Sequence, residues 1–392
     1  MRDSFDVVIV GGAVVGSAVA YFLAQERAFT GSVLVLERDP SYRDCATTRS
    51  LASIRHQFST PENVRMSIFG TAFIREAGLR LAVDGVAADL GFNESGYLFL
   101  ATAAGQAALR SNHLMQRSEG ADVVLLSPAE LGTRFPWLHH SDLAGASLGL
   151  SGEGWIDAHA LMHGLRRKAV ALGATVRQGH VVDVSVAHGR VAAVVLADGT
   201  RVNCGWLVNA AGTGATALAQ RAGLSLPVQS RKRCVYHFGS PARLPRCPLV
   251  IDPTGLYFRP EGAGFLCGIA PPEDEDPECH DFELPLRDFE DRLWPLLARR
   301  VPGFEAARLL SAWAGHYDVN LLDHNLILGP HPELPNLLFA NGFSGHGVQQ
   351  APAVGRALSE LITWGAFCSL DLSALGWRRV LENRPLLELN VV

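Results

Sequence analysis

The sequence predicts an α/β fold in which a Rossmann-type unit is interleaved with a β-rich unit. Three observations predict it. A strand–glycine turn–helix–strand unit opens the chain. Two more units of strand, small-residue turn and helix recur at residues 206–214 and 336–363. Between them, residues 225–325 carry frequent prolines and short strand-like runs.

Each element has a local reason. Residues 6–10 (DVVIV) read as a buried parallel strand. The turn Gly11-Gly12-Ala13-Val14-Val15-Gly16 follows at once. Gly11 permits the tight turn, and Gly16 lets a helix pack close to the strand. Residues 17–25 suit that helix, whose N-terminus offers unpaired N–H groups to a pyrophosphate. Residues 32–37 form the second strand and end in Glu37, which can accept hydrogen bonds from ribose hydroxyls. Ala13 stands where the dinucleotide fingerprint has its middle glycine, so a methyl narrows the approach to the phosphates. The competing reading is an ordinary α/β turn that binds nothing, and it leaves Glu37 unexplained. This unit alone does not separate FAD from NAD.

Residues 41–60 are polar and irregular, the mark of a functional loop. Pro61-Glu62-Asn63 opens a helix capped by Thr60. Residues 92–101 are expected to form a strand pair around Gly96, and 105–118 a helix. Asp157 caps a helix over 158–172. Residues 174–201 read as three short strands with turns at His188-Gly189 and Asp198-Gly199. The strand at 206–209 runs into the small-residue turn Ala210-Ala211-Gly212-Thr213-Gly214. In the β-rich unit, 233–238, 255–259 and 264–269 are strands. A further strand is expected at Asp323-His324. The strand at 336–340 leads through Asn341-Gly342-Phe343-Ser344-Gly345-His346-Gly347 into a helix over 348–363. Three such units, spread along the chain, fit one extended dinucleotide. FAD across a sheet assembled from separate stretches fits better than NAD, whose domain is usually contiguous.

Composition bounds the function. The chain has 392 residues, enough for two or three units at roughly 100–200 residues each. Its 39 glycines exceed the ordinary share of about 7%. They cluster at the ends of apolar runs, including the three turns above. A net charge of −5 provides no basic footprint for nucleic acid. No run approaches the roughly 18 apolar residues of a membrane span, and the first residues lack signal-peptide order. The seven cysteines are odd in number and have no C-x-x-C spacing, which argues against zinc and a disulfide framework. A cytoplasmic protein is expected. Glu273-Asp274-Glu275-Asp276 reads as a solvated loop unlike an EF-hand, and no metal is expected.

The tracts VVIVGGAVVGSAVAYFLA, VLVLERD, LVNAAGTGA and FANGFSGHGVQQAPAVGRALSELI resemble the FAD-dependent D-amino acid oxidase superfamily, with glycine oxidase, sarcosine oxidase and dimethylglycine dehydrogenase. The likeness covers nearly the whole chain. It is specific for fold and cofactor and much weaker for substrate. It implies an FAD-binding Rossmann domain of glutathione-reductase type interleaved with a mixed β-sheet substrate domain. The segments implied are 1–80, 145–225 and 325–392 for FAD, and 81–144 and 226–324 for substrate. The reaction implied is oxidation of a C–H bond beside an amine nitrogen, with hydride passing to flavin N5 and hydrolysis of the imine.

The resemblance places noncovalent FAD on Gly11, Gly12, Ala13, Val14, Val15, Gly16, Glu37 and Arg38 in the first unit. It adds Thr48, Arg49 and Ser50 in the loop, Val181 and Val182, and Ala210, Ala211 and Gly212 in the second turn. The third turn contributes Gly342, Ser344, Gly345, His346, Gly347, Val348 and Gln349, whose backbone N–H groups can stabilise charge on reduced flavin. Arg55 matches the arginine that grips a substrate carboxylate, a task that suits a guanidinium fork. Its alternative is a surface arginine or a phosphate contact. Arg49 is the alternative arginine of the loop, serving substrate or pyrophosphate. Tyr257 and Arg259 match substrate-facing positions, with a core tyrosine as the plainer reading of the first. His346 is a candidate base, and its plainer reading, a packed hydrogen-bonding residue, is preferred. His316 and Tyr317 are read as core or surface residues in preference to flavin neighbours.

Two departures qualify the resemblance. Gly315 stands where some relatives link FAD through cysteine, and no thiol is expected nearby. A link through His56 stays open. Gln349 replaces a lysine whose charge promotes reaction with oxygen. A dehydrogenase passing electrons to a quinone or protein acceptor is therefore favoured over a fast oxidase. Two other readings stay open: oxidation of a 2-hydroxy acid, which Arg55 would serve equally, and a non-catalytic assembly or electron-transfer flavoprotein.

Overall fold

The computed structural model describes residues 3–389. Strand β1 (Ser4–Val10) goes straight into the interior, with Val7, Val8 and Ile9 fully buried. Helix α1 (Val14–Gln25) starts within the glycine turn, and its Ala18, Val19, Ala20 and Leu23 are buried against the sheet. Strand β2 (Val33–Glu37) pairs parallel to β1 from Val7↔Val33 to Val10↔Leu36. The irregular loop contains one short strand, β3 (Ser53–Ile54). Helix α2 (Pro61–Arg75) begins after Thr60, as the proline dictates. Thr60 does not cap it, because its hydroxyl donates to Glu388 at 3.1 Å instead.

The single-turn α3 (Ala77–Arg80) precedes β4 (Tyr97–Ala101). Residues 92–95 do not form the expected second strand. Asn93 makes only an isolated bridge to Trp155, and the Gly96 N–H donates to the Glu153 carbonyl, so the segment is held as a loop. Then come α4 (Gln106–Ser118), β5 (Val123–Leu126) and α5 (Pro128–Arg134), whose Ser127 and Glu130 form a capping box. Strands β6 (Gly145–Gly149) and β7 (Gly154–Trp155) lead to α6 (Ala158–Ala171), capped by Asp157 on the Ala160 N–H at 2.9 Å. Strands β8 (Thr175–Gln178), β9 (Val181–Ala187), β10 (Arg190–Leu196) and β11 (Arg201–Asn209) precede α7 (Ala215–Arg221).

The β-rich stretch holds β12 (Val228–Gly239), β13 (Leu249–Ile251), β14 (Tyr257–Glu261) and β15 (Gly264–Gly268). Helix α8 (Trp294–Arg300) and β16 (Arg308–Asn320) complete it. Asp323 and His324 lie in a turn and not in a strand, and His324 has φ 59°. The chain closes with β17 (Ile327–His331), β18 (Leu334–Asn341), α9 (Gly347–Trp364) and α10 (Trp377–Leu381).

Two eight-stranded sheets result. The first has a parallel centre in the order β8, β2, β1, β11, β18. β17 lies antiparallel on β18, and the β9–β10 hairpin extends antiparallel from β11. α1, α6 and α9 cover one face, while the hairpin, α7 and Trp377 cover the other. The second sheet runs β16, β12, β15, β14, β13, β4, β6, β5. Its one parallel pair, β13 with β4, makes it mixed. Phe238, Phe258, Phe265, Phe289 and Phe304 pack ring to ring behind it. The segment assignment needs one correction. Residues 145–149, read with the Rossmann segments, pair as β6 with β4 and β5 of the second sheet.

The C-terminal tail returns to the loop that precedes α2. The Glu388 carboxylate accepts from the Ser59 N–H at 2.8 Å, the Ser59 hydroxyl at 2.7 Å and the Asn63 amide at 2.9 Å. This fixes the start of α2, six residues beyond Arg55, against the rest of the fold.

Candidate active site

The parallel strands β1, β11 and β18 all run into their turns on one side of the sheet, so the three turns meet. A cavity of about 490 Å³ runs along them. Its far end is walled by Glu37, Arg38, Val181 and Val182. Glu37 accepts the Gly12 N–H at 2.7 Å through one oxygen and the Asp39 N–H at 2.9 Å through the other. Each oxygen keeps a second lone pair for a ribose hydroxyl.

In the first turn, Gly11, Ala13, Val14 and Val15 line the cavity. Gly12 and Gly16 do not. The N–H of Gly12 is used on Glu37, and Gly16 packs under the Gly11 carbonyl, where a Cβ would overlap that oxygen. Gly11 has φ +99°. Ala13 sits at φ −68°, an ordinary alanine conformation, so it fits the turn without strain. The second turn contributes Ala210, Ala211 and Gly212, together with Thr213 and Gly214.

The loop of residues 41–60 divides in the structure. Ser50 lines the cavity, but Thr47 does so in place of Thr48. The Thr47 hydroxyl accepts the Val14 N–H at 3.3 Å, whereas the Thr48 hydroxyl donates to the Tyr42 carbonyl at 2.6 Å inside its own loop. Arg49 does not line the cavity. Its guanidinium donates to the Ala314 carbonyl at 2.9 Å and to Asp44 at 2.5 Å, and lies 4.4 Å from the Phe282 ring centre. That ties the loop to β16. Cys45 lines the cavity, so one thiol does lie in its wall, while a Cβ at Gly315 would meet Arg49 first. His56 faces away, with Nε2 2.8 Å from the Thr71 hydroxyl.

The third turn divides likewise. Gly345, Gly347 and Val348 line the cavity, while Gly342, Ser344, His346 and Gln349 lie behind it. The Gly342 N–H donates to the Asp318 carboxylate at 2.8 Å, and the Ser344 N–H to the Asp318 carbonyl at 3.0 Å. Those two N–H groups are therefore engaged within the protein. His316, Tyr317 and Asp318 all line the cavity from β16, against the preferred core or surface reading of the first two.

Arg55 is 3% exposed and lies beneath this turn. Its guanidinium carbon stands 4.2 Å from the Phe58 ring centre, 5.4 Å from Phe99 and 5.9 Å from Tyr97. It donates to the Gln57 carbonyl at 2.9 Å, and its other terminal nitrogen is 3.0 Å from His346 Nε2. A guanidinium only donates, so His346 accepts with Nε2 and its ring is neutral. Burial, then Arg55, hold the His346 pKa well below 6.5. With its accepting nitrogen engaged, His346 holds Arg55 and has no lone pair to act as a base. Gln349 accepts the Arg55 N–H at 2.8 Å.

Tyr257 is buried with Tyr97, Trp155, Leu249 and Ile251, and burial raises its pKa well above 10. Arg259 is turned elsewhere. It lies over Trp155 at 4.9 Å, donates to the Leu51 and Pro260 carbonyls, and pairs with Glu261. Sequence reading misses Glu153. This buried carboxylate accepts the His56 N–H at 2.6 Å and the Gln57 amide at 2.8 Å. Burial pushes its pKa up to about 7, with the two hydrogen bonds and Arg55 opposing. No local motif marks it, since its partners lie about a hundred residues away. Among the described residues no cluster of three or more His, Cys, Asp or Glu side chains could hold a metal. No described helix is long and apolar enough to cross a membrane.

Three backbone turns around one elongated cavity, with an acid at the far end, define a flavoprotein of the two-sheet class, and the cavity residues fit FAD. The chain belongs to the DAO family of FAD dependent oxidoreductases, whose model matches residues 6–361. It is 41% identical to FAD-dependent oxidoreductase domain-containing protein 1 of Xenopus laevis, over 99% of this chain and 85% of that one. It is 26% identical to glycine oxidase of Geobacillus kaustophilus, over 92% of this chain and 94% of that one. Among solved structures, L-proline dehydrogenase from P. horikoshii superposes with a TM-score of 0.87 at 25% identity, covering 98% of this chain and all of that one.

Proposed function

We propose that this protein oxidises the C–H bond beside the nitrogen of an amino acid or N-alkyl amino acid. The observation that carries the reading is Arg55, buried among three aromatic rings under the third turn. When bound, FAD supplies the two-electron acceptor. The chain's own residues bind and orient. Arg55 takes the substrate carboxylate, and Phe58, Tyr97 and Phe99 exclude water and strengthen that pairing. His346 and Gln349 hold Arg55 in place through its guanidinium and its N–H. Tyr257 packs in one cluster with Tyr97, one of the rings around Arg55. The amine binds neutral, so no side chain has to remove a proton before the C–H bond breaks.

The protein acts as a dehydrogenase. Gln349 is uncharged and engaged on Arg55, so it brings no cation to promote reaction with oxygen. Electrons then leave to a quinone or a protein acceptor. The seven free thiols suit a reducing compartment such as the cytoplasm.

Anaerobic bleaching of the flavin against glycine, sarcosine, L-proline, D-amino acids and 2-hydroxy acids tests the reading. Amino or N-alkyl amino acids should reduce it, and slow reoxidation by air should follow. Bleaching by hydroxy acids alone would assign the alternative substrate class. No bleaching by any of them would leave a non-catalytic flavoprotein.

A further inference from the structure

In the third turn, successive backbone N–H groups form a concavity that suits an anion. The protein fills it with its own carboxylate. Asp318 on β16 accepts the Gly342 N–H at 2.8 Å and also the Phe343 N–H. Its carbonyl takes the Ser344 N–H at 3.0 Å, and the Ser344 hydroxyl accepts the Asn320 N–H at 3.2 Å. Asp318 is buried yet lines the cavity beside Tyr317, Phe343 and Gly345. A carboxylate so placed lines the cavity whose residues fit FAD, and the inference rests on that reading.

We propose that Asp318 sets the reduction potential of the bound flavin through the charge it holds in this turn. An ionised Asp318 opposes electrons arriving on the cofactor and lowers the potential. A protonated Asp318 does not. Burial raises its pKa to about 6, against backbone hydrogen bonds that lower it, so both forms lie within the physiological range. Ionisable groups flank it on several elements. His316 and Tyr317 adjoin it on β16, and Arg231 lies on β12 opposite Tyr317. His346 ends the turn, and the Asp323–Arg379 ion pair lies beyond Asn320. Burial dominates the shift at Asp318, with the backbone hydrogen bonds of Gly342 and Phe343 opposing it.

The test is the midpoint potential of the FAD-loaded protein and of Asp318→Asn, from pH 5 to pH 8. The two should coincide near pH 5, where Asp318 is protonated. By pH 8 the variant should be easier to reduce by at least tenfold in the two-electron equilibrium, which is about 30 mV. A difference of zero, or one that does not change with pH, overturns the proposal. So does loss of the pH dependence in His316→Asn with Asp318 intact. If Asp318→Asn does not retain FAD, the unaltered holoprotein decides. Its reduced-minus-oxidised infrared spectrum at pH 6.5 should gain a protonated carboxyl band, and absence of that band overturns the proposal.

Discussion

Arg55 shows how one side chain can depend on partners scattered along the chain. Its N–H goes to Gln349, its guanidinium contacts the Gln57 carbonyl and His346, and Glu153 holds the next two residues. Arg55→Ala should raise KM for a carboxylate substrate at least tenfold, since a charge-assisted pair is worth about 1.5–3 kcal/mol. Steady-state kinetics with an artificial acceptor checks this, and an unchanged KM removes Arg55 from the substrate. Glu153 predicts a pH dependence of stability. Its acid is raised in the fold from 4.5 to about 7. Its contribution is therefore complete below the unfolded pKa and is lost as pH rises through about 7. The loss approaches about 3 kcal/mol by pH 8. Asp318 acts in the same direction at a lower pH. Denaturant midpoints at pH 5 and pH 8 should differ markedly less in Glu153→Gln than in the parent. Arg55 was marked only by the family resemblance. Glu153 was not marked at all, because a buried carboxylate is recognised by its partners and these lie on another segment.

The elements that carry the site are strand-to-helix turns. The first was legible almost atom by atom, because β1, its turn, α1 and β2 are contiguous and each glycine has a local task. Gly16→Ala should destabilise the protein by about 3 kcal/mol and abolish FAD retention, since the methyl overlaps the Gly11 carbonyl. Ala13→Gly should change stability by less than about 1 kcal/mol, because Ala13 already holds an unstrained backbone. Thermal melts and flavin fluorescence of the two variants separate these outcomes. Loss of FAD from Ala13→Gly alone would contradict this account of the turn. The irregular loop was read less well. It has no period to say which side chain faces inward, and Thr47, which no motif marks, reaches the cavity beside Ser50. The third turn was found from its glycines, but not the direction of its N–H groups, which the facing strand β16 decides.

The whole molecule joins two sheets by passing the chain between them repeatedly, so distant segments brace one another. Glu388 holds the start of α2, and Arg379 forms a buried pair with Asp323 beneath the third turn. Glu388→Ala should lower stability by about 2 kcal/mol, because it leaves the buried Asn63 amide and Ser59 N–H short of an acceptor. Chemical denaturation of the full chain measures this, and a change within about 0.5 kcal/mol would show that the tail is not a brace. By itself the sequence determined the fold class, the three turns and FAD, because each turn is a local pattern in which backbone geometry demands particular residues. Tertiary structure alone decided that β6 belongs to the second sheet and that His346 and Gln349 hold Arg55. It also decided that Asp318 occupies the anion-binding turn. Those are contacts between residues far apart in sequence, and their partners are set by sheet register and burial, which no local pattern encodes.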